Sequence, residues 1–137
     1  MGKTSELRAE IKRTFVPFAV QRGFVLDQNN APTFLEFRRE AQGTSQYFDI
    51  QWEKYGLPRF VVNFGTKERG RLQPRTGALT SSWFRQDRPF LQRIFSANKL
   101  YPASQIVSEL VKLFPELEEY WVSGKVGPHL RILSNEV

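Results

Sequence analysis

Residues 46–65 read Gln46-Tyr47-Phe48-Asp49-Ile50-Gln51-Trp52-Glu53-Lys54-Tyr55-Gly56-Leu57-Pro58-Arg59-Phe60-Val61-Val62-Asn63-Phe64-Gly65. Successive side chains of an extended chain point to opposite faces. Phe48, Ile50 and Trp52 therefore fall on one side, and Tyr47, Asp49, Gln51 and Glu53 on the other. After the turn residues Gly56-Leu57-Pro58, the apolar side resumes with Phe60, Val62 and Phe64. Two runs of strand length with period two, split by a turn, predict an antiparallel pair with one buried face.

Upstream, Thr33 to Glu40 predicts another strand, with Leu35 and Phe37 on the buried face and Phe34, Glu36 and Arg38 on the other. Ala41-Gln42-Gly43-Thr44-Ser45 turns it into the central pair. Phe24 to Leu26 predicts a short edge strand, followed by a turn at Asp27-Gln28-Asn29-Asn30. Ser5 to Arg22 predicts a helix. Leu7, Ile11, Phe15 and Phe18 share one face, Ser5 is a suitable N-cap, and Gly23 closes the C-terminus. Pro17 lacks the N–H that a helix interior needs, so a kink or break is expected near Val16.

Downstream, residues 66–77 have no period and hold Gly70, Pro74, Gly77 and four basic side chains, which predicts a long loop. Leu79 to Arg85 is read as a last strand with Trp83 and Phe84 on opposite faces. Asp87 caps a short helix whose buried side is Phe90, Leu91, Ile94 and Phe95. A second helix opens at Pro102 with Ile106, Leu110, Leu113 and Phe114 as its stripe, is interrupted by Pro115, and ends at Gly124. Val126 to Leu133 is read as an extended segment lying on the body.

The expected fold is therefore α+β in a single domain over residues 1–137. An N-terminal helix is followed by an antiparallel sheet of four or five strands, and C-terminal helices pack on one face. The expected core is Leu7, Ile11, Phe15, Phe37, Phe48, Ile50, Trp52, Phe60, Val62, Ile106 and Leu110. A chain of 137 residues is long enough for one such core and too short for two. Its 12 Phe residues supply large buried areas.

The order of features resembles a known family. A helix with an internal proline, Phe15-Val16-Pro17-Phe18, runs into Gly23-Phe24, and a strand with aromatics and an arginine follows at Thr33-Phe34-Leu35-Glu36-Phe37-Arg38. This resembles the small bacterial proteins gathered as domain of unknown function 4304, over the first half of the chain and, loosely, the Trp83 strand. The resemblance implies the fold class and a bacterial origin. It implies no active site, because that family has no assigned chemistry.

The chemistry available is narrow. With no cysteine, disulfides and thiolate metal sites are excluded, and a reducing compartment is the natural expectation. His129 is the single histidine, no Gly-x-Ser-x-Gly elbow is present, and no carboxylates stand at zinc or calcium spacing. No cofactor or metal is expected. Gly2-Lys3-Thr4 lacks the strand and first glycine of a phosphate-binding loop. Asp49 and Glu53 lie about 13 Å apart along a strand, too far for the paired carboxylates of a glycosidase. An enzyme acting on a small acidic substrate survives only if arginines and aspartates cluster in space. No apolar run approaches the roughly 20 residues of a membrane helix, and no apolar signal region opens the chain. A cytoplasmic protein with no membrane association is expected.

Two surfaces remain. The polar and aromatic sheet face would carry Phe34, Arg38, Tyr47 and Asn63. If helices cover only the opposite face, this one suits a protein partner or a second copy of the chain. This non-catalytic binding or protein-interaction role is the first reading. The alternative is a basic nucleic-acid binder using Lys67, Arg69, Arg71 and Arg75 of the 66–77 loop with Arg85, in keeping with a net charge of +6. Trp83 and Tyr47 would supply stacking faces if the sheet brought them near.

Overall fold

The computed structural model describes residues 3–27, 33–41, 43–66, 68–74, 82–88, 94–95 and 100–133, the side chains of Lys3 and Thr4 excepted. The chain opens with helix α1 (Lys3–Glu10), widens into a π-helical turn (Ile11–Phe15) and returns to α2 (Val16–Gln21). The wide turn sits directly before Pro17, where the Val16 N–H reaches back five residues to the Ile11 carbonyl. The expected disturbance near Val16 is thus a π-turn, and helical structure continues past it. Residues four apart in an α-helix drift by about 40° per step. The extra residue of a π-turn absorbs part of that drift. Leu7, Ile11, Phe15 and Ala19 consequently stay on one line, and all four are fully buried.

Seven strands follow among the described residues: β1 (Val25–Leu26), β2 (Phe34–Ala41), β3 (Thr44–Trp52), β4 (Arg59–Gly65), β5 (Arg69–Leu72), β6 (Phe84–Arg85) and β7 (Leu130–Ile132). They form one antiparallel sheet in the order β1-β2-β3-β4-β5-β7, with β6 also on β4. β4 is central. β3 lies along one edge, while β5 takes the Val62–Gly65 half of the other edge and β6 the Arg59–Phe60 end. Helix α3 (Ala103–Ser123) crosses the same sheet face as the N-terminal helix and touches it. The α+β expectation holds, and every residue of the expected core is buried.

Aromatic rings fill the space between sheet and helices. Phe37 and Phe48, partners across β2 and β3, stack at 4.6 Å, and Phe60 stacks on Phe84 at 5.2 Å. Phe15, Phe24 and Phe114 meet Phe48 edge-on. Offset-stacked and edge-on geometry are the favoured arrangements of aromatic pairs.

Several expectations are corrected. The sheet has more strands than four or five because the 66–77 stretch is not wholly loop: Arg69–Leu72 is β5. Its inward positions are Gly70 and Leu72, so half of the alternation is carried by a residue with no side chain. The tail adds β7, pairing Leu130–Ile132 with β5. Only Phe84–Arg85 of the expected last strand is β-structure among the described residues, and Phe84 is buried. Pro115 does not interrupt α3, which runs from Ala103 to Ser123. The stripe Leu110, Leu113, Phe114, Leu117 and Tyr120 is buried on both sides of it, and that burial offsets the missing hydrogen bond. Ile94 and Phe95 are helical but exposed, at 59% and 86%, so they are not the buried side of their helix; Phe90 and Leu91 lie outside the described residues. Asp87 is bridged to Leu100 and ion-paired with Arg85. Gly124 ends α3 as expected, at φ 78°.

Candidate functional site

The strand register arranges the outer face of the sheet, opposite the helices, in transverse rows. One row runs Glu36, Asp49, Asn63, Arg71, Arg131 across β2, β3, β4, β5 and β7. The next runs Arg38, Tyr47, Gly65, Arg69. A third holds Phe34, Gln51 and Val61. Helices α1, α2 and α3 lie on the opposite face, and on this one Val61 is buried while Tyr47 is exposed. The chain entering β6 reaches this face at Ser82, whose hydroxyl stands 3.4 Å from the Arg71 guanidinium.

The middle row is knitted together. The Asn63 amide donates to Asp49 at 2.8 Å and to Gln51 at 3.1 Å, and Arg71 Nε donates to the Asn63 carbonyl oxygen at 2.9 Å. Burial pushes the Asp49 carboxyl above its ordinary pKa; the hydrogen bond from Asn63 opposes this and the nearby Glu36 carboxylate adds to it. Glu36 stands directly opposite Asp49, where the strand spacing along β3 had kept Glu53 away. In the next row the Tyr47 ring lies across Gly65, where any Cβ would collide with it. Arg38 is ion-paired with Asp27 at 3.2 Å.

Two depressions adjoin here. One, of about 370 Å³, is lined by Asp27, Glu36, Arg38, Ser45, Tyr47 and Asp49, with Phe37 and Phe48 at its floor. The other, of about 440 Å³, is lined by Tyr47, Asp49, Gln51, Asn63, Arg69 and Arg71 among others. They share Tyr47 and Asp49, so together they make a shallow trough across β2–β5. Its β2–β3 end is acidic and its β5–β7 end is basic.

The structure therefore brings Arg38, Tyr47, Asn63, Arg69 and Arg71 together, merging residues that the sequence assigned to two separate surfaces. Phe34 is half-buried on the same face, opposite Gln51. Arg85 is elsewhere: it pairs with Arg59 at the β6 end and holds Asp87 at 2.8 Å. Lys67 and Arg75 lie outside the described residues. Tyr47 and Trp83 are not neighbours. The Trp83 ring meets the Arg59 guanidinium at 5.0 Å, at the far end of β4.

Other polar groups are structural. Glu53, expected on the polar face, is buried and accepts hydrogen bonds from the Tyr55 and Leu57 N–H groups at 2.8 and 2.9 Å, closing the β3–β4 turn. Gln46 points into the core at an inward position of β3. It accepts from Arg39, whose guanidinium lies over Phe24 and also reaches the Arg22 carbonyl and Glu118. Alternation puts Arg39 in phase with Phe37 and Gln46 in phase with Phe48, both inward, but gives no sign that the two polar side chains would satisfy one another there. His129 Nδ1 and N–H both meet the Glu116 carboxylate, at 2.8 and 2.6 Å, and tie the entry of β7 to α3. Among the described residues no three His, Cys, Asp or Glu side chains cluster as metal ligands. No described helix is long and apolar enough to cross a membrane. Set beside family models, curated proteins and solved structures, the chain matches none of them.

Proposed function

We propose that this protein is a non-catalytic interaction module whose outer sheet face is the docking surface. The observation that carries the reading is the trough shared by the two depressions, with Tyr47 exposed where they meet, Arg38 and Arg69 in its own row and the charged middle row alongside. An aromatic anchor among hydrogen-bonded polar groups, rimmed by charge, is the composition of a protein-binding surface. The trough extends across four strands, β2 to β5, which suits an extended macromolecular partner better than a small substrate. The resemblance to domain of unknown function 4304 belongs to this proposal and lends it no chemistry.

The test separates association from folding. The tagged full chain is fractionated by size from fresh extract, and the melting temperature of the purified protein is measured in parallel. The reading expects an assembly heavier than the 16.0 kDa chain, and expects Tyr47→Ala to dissolve it while leaving the melting temperature within a few degrees. Equal loss of assembly and stability, or an assembly indifferent to the substitution, would contradict it.

A second reading keeps nucleic acid as the partner. It is favoured by Arg69 and Arg71 on β5 standing beside Arg131 on β7, a compact basic end to the trough. It expects oligonucleotide binding that weakens steeply with salt, because each phosphate contact releases counterions.

A further inference from the structure

We propose that the outer face is closed by a second copy of this chain, related to the first by a two-fold axis running along β4. This rests on the docking reading above and names the occupant.

The inference comes from the order of charge across the middle row. From β2 to β7 it reads acid, acid, amide, base, base: Glu36, Asp49, Asn63, Arg71, Arg131. Neighbouring strands lie about 4.8 Å apart, so the five positions span about 19 Å. Asn63 is at the centre because β4 is the middle strand of β2–β3–β4–β5–β7. A two-fold interface is isologous, so every contact occurs twice with the roles exchanged.

The axis direction is then selected by charge. A two-fold lying in the interface and crossing the strands would set each residue of the row against its own copy, Glu36 on Glu36 and Arg131 on Arg131. Like charges placed opposite one another are strongly disfavoured. A two-fold along β4 reverses the row instead. Glu36 then faces Arg131, Asp49 faces Arg71, and Asn63 meets Asn63 on the axis. The same operation sets the Tyr47 ring against Arg69 in the next row, a cation–π pairing. Sheets packed face to face keep their strands within about 30° of alignment, which this axis satisfies.

Among the described residues, the two ends of the row are left unpaired. Asp49, Asn63 and Arg71 are joined by hydrogen bonds, whereas Glu36 and Arg131 have no ion-pair partner among the described residues. The two-fold gives each end the partner that one chain holds too far away.

Sedimentation velocity of the purified full chain over a wide concentration range tests this. The expected result is a reversible monomer–dimer equilibrium. Glu36→Arg and Arg131→Glu, each on the surface, should each weaken self-association by about 100-fold or more, since either places two like-charge pairs in the interface. An equimolar mixture of the two variants should form a dimer again, because each then meets the charge it lacks. Circular dichroism and melting of both variants show that the fold is kept; if Arg131→Glu disturbs β7, Glu36→Arg with Glu36→Gln as the neutral comparison carries the same test. Three results would overturn the inference: a wild-type chain monomeric at every concentration, single variants that dimerise as the wild type does, or a mixture that stays monomeric. A monomeric pure protein whose Tyr47 is nevertheless shielded in extract would give the face to a different protein, sinking self-association while keeping the docking reading.

Discussion

The Glu53 carboxylate is buried at the end of β3 and holds two backbone N–H groups of the turn that follows. Truncation to Ala strands both donors, and each unsatisfied buried polar group costs about 1–3 kcal/mol. Glu53→Ala should therefore lower unfolding free energy by roughly 2 kcal/mol in urea titration, with Glu53→Gln recovering part of it. Asp49, four residues earlier, behaves differently. Its folded pKa is raised, so the folded chain holds a proton that the unfolded chain gives up at lower pH. Stability contributed this way is complete below the unfolded pKa, about 3.9, and is lost as pH rises through the folded value. Asp49→Asn keeps an acceptor for the Asn63 amide and removes the titration. Measured on dilute protein, its stability relative to wild type should increase as pH rises across that window and stay level above it. A constant difference at all pH values would show that Asp49 is not titrating from a buried position. Both carboxylates look alike in the sequence, as polar positions of one alternating strand. What separates them is the turn backbone around one and the neighbouring strands around the other, and neither is written in local spacing.

Strands β3 and β4 are legible because their inward positions are almost all large and apolar: Phe48, Ile50 and Trp52, then Phe60, Val62 and Phe64. β5 is not, because one of its two inward positions is Gly70. That glycine is required by its neighbours. A Cβ there would press on the Phe64 ring and come within 2.8 Å of the Arg131 carbonyl oxygen on β7. The need for Gly70 is thus a property of β4 and β7, and residue 70 looks from its own surroundings like part of a loop. Gly70→Ala should destabilise the fold by about 1–3 kcal/mol, the usual cost of overpacking, and should loosen β7, seen as faster amide exchange at Gln73 and Leu133, whose N–H groups bond to the His129 and Arg69 carbonyls across the β5–β7 seam. Pro115 misleads in the opposite direction. One residue's helix-breaking character is visible, whereas the burial of Leu113, Phe114, Leu117 and Tyr120 around it becomes decisive only once the sheet is present. The π-turn before Pro17 is the intermediate case: a disturbance could be placed from sequence, but not its form.

At the scale of the whole molecule, α1, α2 and α3 pack on one face of the sheet, and the register sorts charge across the other. The members Phe34, Arg38, Tyr47 and Asn63 could be named from alternation because they are outward positions of legible strands. From sequence Arg69 and Arg71 belong to a separate surface, since joining them to Tyr47 and Asn63 requires knowing that β5 is a strand and that it pairs with β4. Arg131 enters the row only through β7, which pairs with β5 across some sixty residues of chain. A long-range register of this kind has no local sequence signature. The most direct measurement of whether this face is a docking surface is tyrosine-selective labelling of the full chain, read by mass spectrometry. Tyr47 and Tyr55 are both exposed, at 42% and 79%, but only Tyr47 lies in the trough. In dilute purified protein both should react. In fresh extract, or in concentrated purified protein if the partner is a second copy, Tyr47 should be shielded while Tyr55 stays reactive. Tyr47 labelled as readily in extract and in concentrated protein as in dilute solution would mean that nothing covers the face, and the docking account would be wrong.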